Sequence, residues 1–326
     1  MRRLIFILSL LLLLTNIALP QEKDYIHFNK IVAKIENNKI AAGTWVSALH
    51  PSNAVGLVEQ NGFPTYEESL NKAMIDFILI DMEHQPFDMS LLRNFLLALN
   101  SKREVMVKGN LQPNIATLVR IPSDGAEPVH ALIKQALDVG VFGVVIPHVR
   151  TAAEAKKIVK ACRYVQPVGS KISEPKGTRG ASPWLAAYLW GLTMPEYVDR
   201  ADVWPLNPKG DILAIIMIED VEGVRNIDEI LKVKGIGAVI FGPYDFSFSI
   251  GFPGETTHPD VTKNWDVVKK ACDRTNVPLV GFANPDNIKN KLKENYKMLL
   301  FGHDVRNNGV VTKVLEAIEK NNRTKE

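Results

Sequence analysis

The sequence predicts an α/β fold of the TIM (β/α)8 barrel type, with an extra helix before the first strand and a long insertion between strands four and five. Two observations carry the prediction. A strand-like segment followed by a helix-like one recurs eight times. The strand segments are near-continuous Ile/Val/Leu runs, as strands are when helices cover both faces of a parallel sheet. A third observation says where function sits: several runs end abruptly in charged residues, and parallel barrels carry their chemistry at the C-terminal ends of the strands. A doubly wound open sheet is the rival architecture.

Taken in order, Met1-Arg2-Arg3 precedes an apolar run over residues 4–19, broken only by Ser9, Thr15 and Asn16. A short basic start and an apolar stretch of this length read as an export signal over residues 1–20, cut near Gln21, with an uncleaved membrane anchor as the alternative. Residues 25–36 read as an extra helix placed to plug the barrel floor. Strands are expected at 43–49, 77–82, 116–121, 143–147, 213–219, 238–242, 279–283 and 298–301. Helices are expected at 54–61, 90–99, 129–139, 152–162, 224–232, 261–275, 284–293 and 308–320. Two stretches interrupt the rhythm. Residues 101–114, with Lys102, Arg103 and Lys108, form a basic insertion before strand three. Residues 164–211 form a Pro- and aromatic-rich excursion, with Trp184, Tyr188, Trp190 and Trp204, that reads as a packed subdomain, a subunit contact or a lid. No Gly/Ser-rich linker divides residues 21–320, which read as one domain followed by a polar tail over 321–326.

Composition excludes some classes of function. Lys and Arg number 39 against 36 Asp and Glu, a near balance, and the cations are not interleaved with aromatics as in a nucleic-acid groove. The two cysteines, Cys162 and Cys272, fall in separate helical patterns and read as buried small side chains rather than a disulfide framework. Asn322-Arg323-Thr324 matches a glycosylation acceptor, relevant in a eukaryotic secretory pathway.

The chemistry-bearing residues converge on one rim. Strand five ends in Glu219 and strand six leads into Asp245, so two hard carboxylates come from adjacent strands. Such a pair suits an oxygen-preferring divalent cation; capping of the next helices or pairing with surface lysines is the plainer explanation. Strand two delivers Asp81 and Glu83 to one face, with His84 just beyond. An Asp81–His84 hydrogen bond would make the imidazole a general base, while a helix-capping histidine is the alternative. Strand three ends in Arg120, which must find an anion, and a structural salt bridge to Asp81 or Glu83 would supply one. His148 and His303-Asp304 also follow strands, and read as loop or cap residues, His148 being the better placed to touch a substrate.

Seven blocks in order then carry a resemblance: Gly43-Thr44-Trp45, Asp81-Met82-Glu83-His84, Val119-Arg120-Ile121-Pro122, Leu137-Asp138-Val139-Gly140, Gly177-Thr178-Arg179-Gly180, Ile218-Glu219 and Gly242-Pro243-Tyr244-Asp245-Phe246-Ser247. The chain resembles the HpcH/HpaI aldolase family, with a match over most of residues 43–253. The resemblance implies a metal-dependent (class II) pyruvate aldolase on a TIM barrel, commonly a trimer or hexamer. It implies that Glu219 and Asp245 are the metal ligands and that Arg120 contacts the keto-acid oxygen. His84 with Asp81 would be the base dyad, and the backbone around Gly242 and Tyr244 the substrate carboxylate contact. Met217 stands where the family usually has a glutamine that reaches the keto acid, the excursion near 165–176 and the stretch before strand three are longer than usual, and the family is normally cytosolic.

The expected reaction follows from this set. Cleaving a 2-keto-4-hydroxy acid to pyruvate and an aldehyde places negative charge on the ketone oxygen, and no strand-end lysine is present to form a Schiff base. A cation at Glu219 and Asp245 would take up that charge, and an all-oxygen shell favours Mg2+, Mn2+ or Co2+ over a tetrahedral zinc site. Two alternatives are an acyl-thioester (citrate or malyl) lyase and an exported, non-catalytic keto- or sugar-acid binding protein on the same barrel.

Overall fold

The structure, a computed structural model, describes residues 25–61, 74–122, 124–304 and 309–325, so the expected signal at 1–20 lies outside the described residues. The chain opens with helix α1 (Lys30–Glu36), strand β1 (Ala41–Val46), α2 (Pro51–Gln60), β2 (Phe77–Asp81), α3 (Met89–Leu99) and α4 (Lys102–Lys108). It continues with β3 (Ala116–Arg120), α5 (His130–Asp138), β4 (Gly143–Ile146), α6 (Ala152–Cys162), α7 (Trp184–Trp190) and α8 (Met194–Arg200). The second half holds β5 (Leu213–Ile218), α9 (Val221–Arg225), α10 (Ile227–Ile230), β6 (Ile236–Phe241), α11 (Pro243–Ser249), α12 (Pro259–Thr275), β7 (Leu279–Phe282), α13 (Ile288–Lys291), β8 (Met298–His303) and α14 (Gly309–Arg323). The strands close in sequence order into one barrel, and every neighbouring pair is parallel.

The barrel closes because its strands are apolar on both faces. All residues of β2, β3, β4, β5 and β6 are buried. The lumen is filled by side chains of unequal size. Phe77 occupies it so fully that a Cβ on Gly43 of the neighbouring strand would lie 2.3 Å from the ring, so only glycine fits there.

Helix α1 lies across the N-terminal end of the barrel, as expected. Asn29 caps it by accepting from the Ile31 N–H, and donates to the carbonyls of Phe142 and Asp211. Lys30 pairs with Asp76 at 3.1 Å and donates to the carbonyl of Asn114. Residues 76, 114, 142 and 211 each lie just before a strand, which fixes this end as the floor. Beneath it His27 bridges Asp211 at 2.9 Å and Glu36 at 3.1 Å.

The excursion over 164–211 packs on this same floor, not at the active rim. Trp190 stacks on Phe142 at 4.2 Å and donates to the carbonyl of Gly140. The fully buried Arg163 forks onto Asp202 at 2.6 and 3.0 Å and donates to the carbonyls of Ile172 and Pro175. The excursion leaves α6 and enters β5 at this end, and its anchors Trp190, Arg163 and Asp202 hold it there, away from the C-terminal ends of the strands. The basic insertion likewise contains α4, whose Glu104 accepts from Lys108 and from the N–H of Asn114.

Local hydrogen bonding moved several expected boundaries. The helix expected at 224–232 breaks at Asn226, which ends α9, begins α10 and donates to the carbonyl of Arg150. The helix expected at 284–293 shrinks to α13, because Asn284 and Asn287 side chains accept from nearby backbone N–H groups and hold a turn instead. Cys162 and Cys272 are buried and free, and burial pushes both thiols up to about 12. Asn322 is buried with its amide exchanging two hydrogen bonds with the backbone of Ile40, so the acceptor pattern is closed to glycosylation. Among the described residues, no helix is long and apolar enough to cross a membrane.

Candidate active site

Parallel register sets the first cluster. Asp81 at the end of β2 sits opposite Arg120 at the end of β3, both on the inward face. Arg120 Nε donates to Asp81 Oδ1 at 3.0 Å, and its Nη2 lies 2.9 Å from Oδ2, a two-pronged pair. Its Nη1 lies 2.8 Å from Glu83 Oε2. The guanidinium also lies 4.9 Å over the ring of Trp45, which inclines toward the lumen from β1 and stacks on His303 at 5.8 Å. Burial raises Asp81's affinity for a proton, but the hydrogen bonds and charge of Arg120, helped by the N–H groups of Glu83 and His84, outweigh it and hold the carboxyl below the ordinary range. Glu83 goes the other way, raised by burial against the attraction of Arg120.

This arrangement differs from the expected Asp81–His84 dyad. Asp81 accepts from the backbone N–H of His84 while its side-chain oxygens serve Arg120. The His84 ring instead points to Glu83, with Nε2 3.5 Å from Oε2 and 62% of its side chain exposed. The reason is the turn after β2, which folds the chain back so that its N–H groups, not its rings, face Asp81.

Glu219 follows β5 and is buried. Its Oε1 accepts from the His148 N–H at 2.8 Å, with His148 Nδ1 3.6 Å away, while Oε2 is buried with no hydrogen-bond partner. His148 holds this position with φ of 51°, a left-handed backbone that is uncommon for a residue with a side chain. Glu219 is pushed up to about 8, first by burial and then by the negative charges of Asp245 and Glu83. Asp245 is half-buried in the first turn of α11, which Pro243 begins and Gly242 caps. A Cβ on Gly242 would lie 2.3 Å from Glu219 Oε2, so the glycine keeps room for the carboxylate. Met217, two residues earlier on the inward face, is buried. Tyr244 is exposed with its ring against Phe248 at 5.2 Å, which leaves the backbone of Gly242 and Tyr244 as what this turn offers the site. Asp304 turns from the lumen to Ser47, accepting from its hydroxyl and N–H.

The arrangement fits a cation. A buried carboxylate oxygen without a partner, next to a second carboxylate and opposite an arginine, is costly as an anion unless positive charge arrives. Among the described residues no three His, Cys, Asp or Glu side chains form a ready-made shell, so a cation there would keep positions open for substrate oxygens. Of the residues read from sequence, Asp81, Arg120, Glu219 and Asp245 come together at one rim. The His84 ring meets Glu83 while its backbone N–H serves Asp81, and the Trp45–His303 stack is not legible in the sequence because nothing in the local pattern marks a tryptophan as facing the lumen.

Comparison with known proteins gives the family. Residues 63–308 match the family model described as HpcH/HpaI aldolase/citrate lyase. The 5-keto-4-deoxy-D-glucarate aldolase of Salmonella paratyphi A is 32% identical over 233 residues, covering 72% of this chain and 73% of that protein. The enzyme of that name from Citrobacter koseri is 30% identical over 235 residues, covering 72% and 74%. The crystal structure of an HpcH/HpaI aldolase from Desulfitobacterium hafniense superposes with a TM-score of 0.63 at 25% identity, covering 83% of this chain and 89% of that one.

Proposed function

The chain belongs to the HpcH/HpaI aldolase/citrate lyase family and is an aldolase, a carbon–carbon lyase; from that premise we propose that it cleaves a 2-keto-4-hydroxy acid of the 2-keto-3-deoxy sugar-acid type to pyruvate and an aldehyde. The observation that carries the proposal is the partnerless, buried oxygen of Glu219 beside Asp245. Those two carboxylates would hold a divalent cation, Mg2+, Mn2+ or Co2+, which supplies positive charge for the electrons that move toward the ketone oxygen as the C3–C4 bond breaks.

The chain's own groups do the rest. Arg120, locked by Asp81, Glu83 and Trp45, presents its charge to the ketone oxygen with no reorganisation at the moment of reaction. Backbone N–H groups at the start of α11, around Gly242 and Tyr244, receive the substrate carboxylate. Met217 closes the pocket below with an apolar wall. His84 takes the proton from the 4-hydroxyl at the open mouth, and Asp81 positions Arg120 rather than the imidazole. A sugar-acid substrate is supported by the named activity of the relatives. The named activity of the relatives favours catalysis over a non-catalytic binding protein on the same barrel. Export through residues 1–20 and assembly into a trimer or hexamer complete the reading.

The test is a panel of 2-keto-4-hydroxy acids incubated with purified protein and each of the three cations, with pyruvate measured enzymatically. Release from at least one substrate is expected, and silence across the panel would remove the assignment of substrate class.

A further inference from the structure

Glu83 has so far served only to brace Arg120, yet it stands between that guanidinium and His84. Its Oε2 lies 2.8 Å from Arg120 Nη1 and 3.5 Å from His84 Nε2. It is the inner member of the pair, 16% exposed against 62% for the imidazole, so a proton passing from the mouth toward Arg120 meets Glu83 next. Asp81 cannot serve in this way, because both its oxygens are held by Arg120 and by backbone N–H groups. The charged and titratable groups facing Glu83 are Arg120, His84, His148 and Asp81. Burial outweighs the three cationic or potentially cationic neighbours and raises its affinity for a proton, while Asp81's is lowered. Arg120 addresses the ketone oxygen on C2, so a carboxyl bonded to Arg120 is one substituent away from C3.

We propose that Glu83 is a catalytic proton carrier that delivers to substrate C3 the proton His84 takes from the 4-hydroxyl. The step rests on the aldolase reading above and balances without a co-reactant. His84 accepts the hydroxyl proton, and the O–H electron pair becomes the second bond of the aldehyde carbonyl. The C3–C4 pair becomes the C2–C3 double bond, and the ketone π electrons settle on oxygen. As that oxygen returns to a ketone, C3 takes the proton of the Glu83 carboxyl and becomes the methyl of pyruvate. The His84 imidazolium then reprotonates Glu83 across the 3.5 Å gap. One proton leaves the hydroxyl and one arrives at carbon.

Pyruvate alone reports on the second half. In D2O with the full chain and Mn2+ or Mg2+, the wild type should exchange the methyl protons of pyruvate for deuterium, read as loss of the methyl signal in quenched, metal-free samples. Glu83→Gln should slow that exchange by roughly 100-fold or more, while pyruvate affinity from calorimetric titration stays within about threefold. Glu83→Asp, which keeps the carboxyl, should recover part of the rate. Exchange at the wild-type rate in Glu83→Gln overturns the proposal and leaves the aldolase reading standing. Exchange and affinity falling together also overturns it, reducing Glu83 to a brace for Arg120. If the wild type neither exchanges pyruvate nor cleaves any substrate, the aldolase reading falls and takes this step with it.

Discussion

Three carboxylate oxygens and one indole face fix Arg120 where β3 ends. A group so constrained acts through its position, so Arg120→Lys, which keeps the charge but loses the fork, should lower the cleavage rate by roughly 10²–10³. Steady-state pyruvate release measures this, with far-UV circular dichroism and the urea unfolding midpoint as the control for fold. The residues of this cluster were readable because side chains alternate along a strand and the apolar runs stop at Asp81, Arg120 and Glu219. The pairing among them was not. Asp81 and Glu83 compete for one guanidinium, and only the β2–β3 register, a tertiary fact, places Asp81 opposite Arg120. The same residue scale explains Gly242. Gly242→Ala would drive a methyl into Glu219 Oε2 at 2.3 Å, so that variant should fold yet lose cation affinity, a loss that calorimetric titration would detect.

Elements were legible to the extent that each is governed by its own sequence. All eight strands fall within a few residues of their expected places, because a buried parallel strand is apolar throughout and is cut off by polar residues. Helix α11 was unread as a helix, since Pro243 and Asp245 look like strand-end and turn residues until the Gly242 cap is seen. The excursion was legible as packed material but not as floor material. Its anchor is the wholly buried Arg163–Asp202 pair, closed by two carbonyls. Breaking it from one side leaves an uncompensated buried charge, so Asp202→Ala should cost about 3–5 kcal/mol in urea unfolding. Kinetics with any surviving folded fraction should be unchanged, because the pair lies at the opposite end of the barrel from Glu219.

Across the whole molecule, the charge at the rim couples stability to pH and to cation. In the cation-free protein Glu219 is raised from an ordinary 4.5 to about 8. A carboxyl raised on folding contributes stability that is fully present below its unfolded value and is lost as pH climbs through the folded one. The cation-free protein should therefore lose stability between pH 4.5 and about 8, and Glu219→Gln should remove this component of the slope. Cation binding must displace the same proton, so affinity should fall about tenfold per pH unit below the folded value. Calorimetry in buffers of different ionisation enthalpy would count the proton released.

The most direct measurement is pyruvate release by chelator-stripped protein, followed while Mn2+ or Mg2+ is added back. The account predicts no release from the stripped protein, saturable recovery with cation, and no recovery in Glu219→Gln or Asp245→Asn. Full activity in the stripped protein, or cation-restored activity in both variants, would contradict it.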